Sequence, residues 1–126
     1  MDNIKIKVIG IIGAFAISIS AFGAHMLKHH LNTIQTETYR TASLYLFIHL
    51  IGMLIITLNE KTNRNQVLNL TFTFFLIGIV LFSGSLYILS IKHLIGGDHW
   101  NFVGPLTPLG GLAFIIGWLN MIRFKI

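Results

Sequence analysis

Thr41–Leu58 reads TASLYLFIHLIGMLIITL, eighteen residues with no charged side chain and a single histidine, His49, at the centre. As a helix rising ~1.5 Å per residue, this stretch covers ~27 Å, close to the hydrocarbon thickness of a bilayer. An ionisable group at that depth is costly, so it faces protein or a wet cavity instead of lipid. The rest of the chain reads as the environment of that histidine.

Composition supports a membrane setting. Apolar residues make up 54% of the chain and charged residues 10%, and mean hydropathy is +0.76. Soluble domains carry about a quarter charged residues. The net charge of +5 comes from Lys and Arg scattered between the apolar runs. No basic helix or aromatic-interleaved basic patch exists, so nucleic acid is not an expected partner. The chain has no cysteine, which excludes disulfides, thiolate metal ligands and a cysteine nucleophile. Its 126 residues fit one integral membrane domain.

Four spans are expected, at about 4–24, 41–58, 67–91 and 105–122. The first follows Lys5 and Lys7 and has the outline of a signal peptide, but three more spans follow it. Gly10, Ala14 and Ser18 recur every four residues along it, a small-residue stripe suited to helix contact, so we expect a retained span. Asn32, with Gln35 three residues on, forms a capping-box signature that starts the second helix near Thr33. Asn59–Gln66 is a polar turn. After the third span, Lys92–Gly104 is an irregular loop around Gly96-Gly97 with an interfacial tryptophan, Trp100. Pro108 and Gly110-Gly111 should kink or break the first turn of the fourth span.

The pattern is all-α, a four-helix transmembrane bundle. Four spans put both termini on one side, with Lys5, Lys7, Lys61, Arg64, Arg123 and Lys125; the other side carries Lys28, Arg40 and Lys92. The positive-inside rule then makes both termini cytoplasmic.

Counting along the helices places His49 ~12 Å below the outer interface. Ser18, Ser20, Ser83, Ser85, Tyr87, Gly110 and Gly111 fall in the same half, and the other half reads as almost wholly aliphatic and phenylalanine. Two uses of this layer compete. It can be an interhelical hydrogen-bond layer, with the serines and Tyr87 satisfying His49. It can instead be an outward-facing polar pocket around His49 for a lipid or small amphiphile, with Tyr45 above the imidazole.

Other chemistries find less support. All four carboxylates, Asp2, Glu37, Glu60 and Asp98, lie outside the spans, which weakens a proton-coupled exporter. An oligomeric transporter or channel-like module working through the Gly10/Ala14/Ser18 stripe stays open, as does a membrane enzyme with His25 or His49 as base. His25, His29 and His30 have the i, i+4 spacing of metal ligands, but no carboxylate or cysteine stands at a fixed spacing to them. No metal site and no cofactor is expected. Neither glycine pair fits a phosphate loop, and no serine sits in a nucleophile elbow.

Several runs carry a resemblance across all four spans. They are Ala21-Phe22-Gly23-Ala24-His25, Tyr45 to His49, Phe82-Ser83-Gly84-Ser85-Leu86-Tyr87, Thr107-Pro108-Leu109-Gly110-Gly111 and Gly117-Trp118. Together they resemble domain-of-unknown-function family 423, small membrane proteins of bacteria with relatives among eukaryotic transmembrane proteins. The resemblance implies a four-helix integral membrane protein and no settled activity. Joined to the depth argument, it points to His25, Tyr45, His49, Ser83, Ser85, Tyr87, Pro108, Gly110 and Gly111 as ligand-binding residues. Membrane lipids are the expected partners, with a homo-oligomer as an alternative assembly.

Overall fold

The computed structural model describes residues 2–60 and 65–125; Lys61 and Arg64, which enter the charge bias above, lie outside the described residues. Its helices are α1 (Asp2–His25), α2 (Thr33–Glu60), α3 (Gln66–Gly78), α4 (Gly84–Ile91) and α5 (Leu106–Asn120). A π-helical turn, Ile79–Ser83, joins α3 to α4. Four segments are long and apolar enough to cross a membrane: Ile4–His25, Thr33–Glu60, Gln66–Leu94 and Gly97–Arg123. The expected all-α, four-span architecture is what the chain adopts. We call the end bearing residues 26–32 and 92–105 the loop end, and the opposite one the terminal end.

Local chemistry starts and stops these helices where the sequence signals it. Gln35 N–H donates to Asn32 Oδ1 at 2.8 Å, and Asn32 N–H donates back to Gln35 Oε1 at 2.9 Å. Two amides that an α-helix leaves without partners are thereby satisfied. Asn65 caps α3 in a similar way, accepting from Val67 N–H at 3.0 Å. Past α4, Gly96 and Gly97 adopt φ of 128° and 67°, a left-handed region that side chains with a Cβ avoid. The reversal brings Trp100 Nε1 to within 2.7 Å of the Ile95 carbonyl.

α2 is the central helix. It packs on α1, α3, the π-turn and α4, while α5 packs on α3 and the π-turn. The backbones of α2 and α5 do not approach each other. α1 is peripheral, resting on α2 through Ile9, Ala16 and Gly13, the last set against Leu50. At the terminal end Lys5 Nζ lies 2.5 Å from Glu60 Oε2 and 4.9 Å from the centre of the Phe72 ring. Ile11, Ile17, Ile34, Val80 and Leu119 are among many large apolar side chains facing outward. That would be a liability in water and is the ordinary surface of a bundle in lipid.

Two expectations need correction. Pro108 does not break the fourth span, because it stands in the first turn of α5, where backbone N–H groups have no intrahelical partner to lose. The irregularity sits in the third span instead, at the π-turn. The terminal half, expected to be almost wholly aliphatic and phenylalanine, also holds a polar brace: Asn120 Nδ2 donates to Val67 O at 2.9 Å and Thr71 Oγ1 at 3.0 Å, tying α5 to α3.

Gly110 explains where α5 sits. A Cβ on it would lie 2.8 Å from Leu81 C and Phe82 Cα and closer still to Phe82 N, all backbone atoms of the π-turn. No side-chain movement relieves such a clash. Gly110→Ala should therefore cost ~2 kcal/mol or more, at the upper end of overpacking effects. Gly10→Ala, where the added carbon meets open space in mid-helix, should instead stabilise the protein by ~0.5–1 kcal/mol. Unfolding of both variants in detergent by denaturant titration checks the contrast.

Candidate functional site

His49 is buried at 3% exposure, and its surroundings are aromatic. Its ring stacks on Phe114 with centroids 3.5 Å apart and 11° between planes. Phe75 meets it edge-on at 5.0 Å, and Tyr45 lies one turn away at 6.1 Å. Both ring nitrogens are engaged: Nδ1 is 2.7 Å from the Tyr45 carbonyl, and Nε2 is 3.0 Å from Trp118 Nε1. An indole N–H can only donate and a carbonyl can only accept. His49 is therefore the neutral tautomer with its proton on Nδ1, donating to Tyr45 O and accepting from Trp118. Its hydrogen-bonding capacity is spent within the protein.

The remaining polar side chains form separate groups. Ser20 Oγ donates to Ser43 Oγ at 3.0 Å, and Ser43 Oγ lies 2.6 Å from Tyr87 Oη, so a hydroxyl chain crosses from α1 through α2 to α4. Tyr39 Oη donates to the Ile19 carbonyl, and the Tyr39 and Tyr87 rings meet edge-to-face at 4.8 Å. Ser85 Oγ is 2.6 Å from Thr107 Oγ1, linking α4 to α5. Ser83, fully buried in the π-turn, has no hydroxyl partner among the described residues.

A cavity of about 480 Å³ opens between α1 and α2 at the loop end. Its α1 side comes from Ser20, Gly23, Ala24 and Leu27, spaced i, i+3, i+4, i+7, and its α2 side from Thr36, Tyr39, Arg40 and Ser43 at the same spacing. Each set is thus one stripe of a helical face, continued on the first by Leu27, two residues past the end of α1. Gly23 sets the wall: any Cβ there would collide with the Tyr39 ring, 2.6 Å from Cζ and closer still to Cε1. His25 and Lys28 complete the rim.

The nine residues expected to line one pocket are thus dispersed. His25 lines the cavity, and Tyr87 reaches its wall through Ser43. Tyr45 and His49 belong to the aromatic stack, Ser85 to the Thr107 link, and Gly110 and Gly111 to the face against Phe82. Pro108 is exposed in the first turn of α5. Among the described residues no three His or carboxylate side chains gather around a common point.

A family described as protein of unknown function (DUF423) matches residues 19–111. A UPF0382 membrane protein of Staphylococcus saprophyticus is 36% identical over 126 residues, covering 95% of this chain and 99% of its own length. The chain belongs to this family. A UPF0382 membrane protein of Bacillus subtilis is 35% identical, with 92% and 94% covered. An inner membrane protein of Escherichia coli with the same UPF0382 label is 32% identical, with 87% and 79% covered. No solved structure matches. The chain is accordingly a multi-pass membrane protein of a bacterial type whose activity its relatives' names leave open.

Depth counting erred because depth ignores azimuth. Ser43 and His49 are six residues apart, ~120° around the helix at ~100° per residue, and so face different neighbours. The missed residues are Ser43, Tyr39, Lys28, Arg40, Thr107 and Trp118. Two signals were available. The matching i, i+3, i+4, i+7 stripes of the first two helices foreshadow a shared cavity. A tryptophan inside a span, with an N–H that hydrocarbon cannot satisfy, calls for an acceptor nearby.

A double-mutant cycle tests the His49–Trp118 pair. His49→Leu leaves the Trp118 N–H without a partner, and Trp118→Phe leaves Nε2 without one; each should cost ~1–3 kcal/mol. The double variant should cost clearly less than their sum. Additive losses would mean that the two side chains are not coupled.

Proposed function

We propose that this protein is a small binding or accessory protein that holds an amphiphile, without turnover, in the cavity between α1 and α2. The supporting observation is the cavity itself. It lies where a polar head would meet Ser20, Thr36 and Ser43 while Leu27 and Leu31 offer apolar surface. Its size is within the ~300–1,000 Å³ of small-molecule sites. Phe22 and Met26, both outward-facing, flank Gly23–His25 in sequence and supply surface for a chain leaving along α1.

This reading moves the pocket away from His49, whose two nitrogens are occupied. The same occupancy disfavours His49 as a catalytic base, which needs a free acceptor in reach of substrate. Gly10, Ala14 and Ser18 face away from the other helices, with Ser18 Oγ donating to Ala14 O at 2.8 Å. An oligomeric transporter would have to use that face.

With both termini in the cytoplasm, the cavity opens toward the outer leaflet. Ile95→Cys should then react with an impermeant maleimide added outside intact cells, and Lys125→Cys should react only after permeabilisation. The reverse pattern would invert the topology. The binding reading is checked by native mass spectrometry of protein released in nanodiscs. A retained amphiphile should disappear in Ala24→Phe, which fills the cavity, and persist in Trp118→Phe. Retention in Ala24→Phe would remove the cavity as the site.

A further inference from the structure

We propose that the cavity selects an amphiphile with an oxyanion head, a phosphodiester or a carboxylate, engaged by Lys28 and Arg40. The inference rests on the amphiphile reading above and adds the sign of the head group.

Three observations carry it. The lining includes two permanent cations, Lys28 and Arg40, with His25 beside them, and no carboxylate. Lys28 comes from the turn after α1 and Arg40 from α2, so the two cations reach the cavity from different segments. Neither charge is consumed by strong pairing. Among the described residues the ion pairs are Lys5–Glu60 and Arg40–Glu37. The second is 3.7 Å long between largely exposed side chains, an arrangement worth ~0–1 kcal/mol, and Lys28 has no carboxylate partner there. An arginine fork and a lysine ammonium together suit an oxyanion at a membrane surface.

The cavity wall supplies the third observation. Ser20, Ser43 and Tyr87 hold three hydroxyl hydrogens, and the chain Ser20–Ser43–Tyr87 has two internal hydrogen bonds. One donor is left over. The spare hydrogen sits on Ser43, which lines the cavity, when Tyr87 donates to it, and on Tyr87 when Ser43 donates; a head group that accepts from Ser43 selects the first arrangement. An ester or phosphate oxygen is such an acceptor. The opening and the wall therefore ask for the same thing, an oxygen-rich anionic head, and the apolar Leu27 and Leu31 accept the beginning of a chain.

Lysine and arginine near a bilayer surface also attract anionic lipid without any pocket. The experiment separates the two. Full-length protein in neutral detergent is offered equimolar phosphatidylglycerol and phosphatidylcholine, and retained lipid is counted by native mass spectrometry. A parallel arm adds oleate as competitor. The wild-type protein should retain phosphatidylglycerol about tenfold over phosphatidylcholine. Lys28→Gln/Arg40→Gln should abolish that preference, Arg123→Gln/Lys125→Gln should leave it intact, and Ala24→Phe should remove both lipids. Thermal unfolding of each variant verifies that it is folded.

Displacement of phosphatidylglycerol by oleate would show that a carboxylate suffices; failure of oleate to compete would assign the phosphodiester. Either supports an oxyanion head. Equal retention of the two phospholipids, lost in Ala24→Phe, would overturn the charge selection while leaving the amphiphile reading standing. Equal loss of preference in the two charge-neutralised variants would reduce the effect to surface attraction and overturn the proposal. Unchanged retention in Ala24→Phe would overturn the amphiphile reading as well.

Discussion

The hydrogen bond from Trp118 to His49 spans a gap that the backbones of α2 and α5 do not close. In lipid, helices gain little from burying apolar surface against one another, because acyl chains are equally apolar. Contact between spans must come from close fit and from polar groups that have nowhere else to go. His49 and Trp118 are such groups. The imidazole also fills the gap with its ring, stacked on Phe114 of α5 and met edge-on by Phe75 of α3. Half of Trp118 remains exposed on the lipid side, so one residue satisfies His49 from within and presents its ring to the bilayer. A leucine at position 49 would roughly keep the volume and lose the link.

Where rings fill the space between helices, glycines make the room. Gly78 faces the Phe114 ring and Gly117 the Phe75 ring at separations no Cβ would permit, and Gly110 abuts the π-turn backbone. α3 and α5 thus dock through an alternation of phenylalanine and glycine. The α1–α2 seam is different. It is tied at the terminal end by Lys5–Glu60 and toward the loop end by Ser20–Ser43, and Gly13 packs against Leu50 between them. Beyond Ser20 the seam opens into the cavity. A bundle that is tight around α3 and open beside α1 has room for a ligand without disturbing its core.

Most of the architecture was legible in the sequence, because a bilayer leaves few alternatives to long apolar helices. The start of α2 could be read from Asn32 and Gln35 for an equally direct reason, since their side chains complete the first turn. The π-turn was not legible: nothing local in Ile79–Ser83 demands it, and its counterpart is Gly110, far along the chain. The residues grouped by depth do not share one site in the fold. His49 was correctly singled out as unusual, yet its partner was an indole on the fourth span and not the serines at its depth. His25 reached the cavity because the end of α1 turns there.

The central claim is that His49 is a structural link in a single neutral tautomer, which frees the ligand question from the deepest histidine and moves it to the α1–α2 cavity. Nitrogen NMR of protein labelled with ¹⁵N-histidine and ¹⁵N-tryptophan tests this directly. The account predicts a protonated Nδ1 and an unprotonated Nε2 for His49, unchanged by added amphiphile, with the Trp118 indole N–H protected from solvent exchange. A His49 proton on Nε2, or an imidazole signal that shifts on ligand addition while Trp118 exchanges freely, would contradict it.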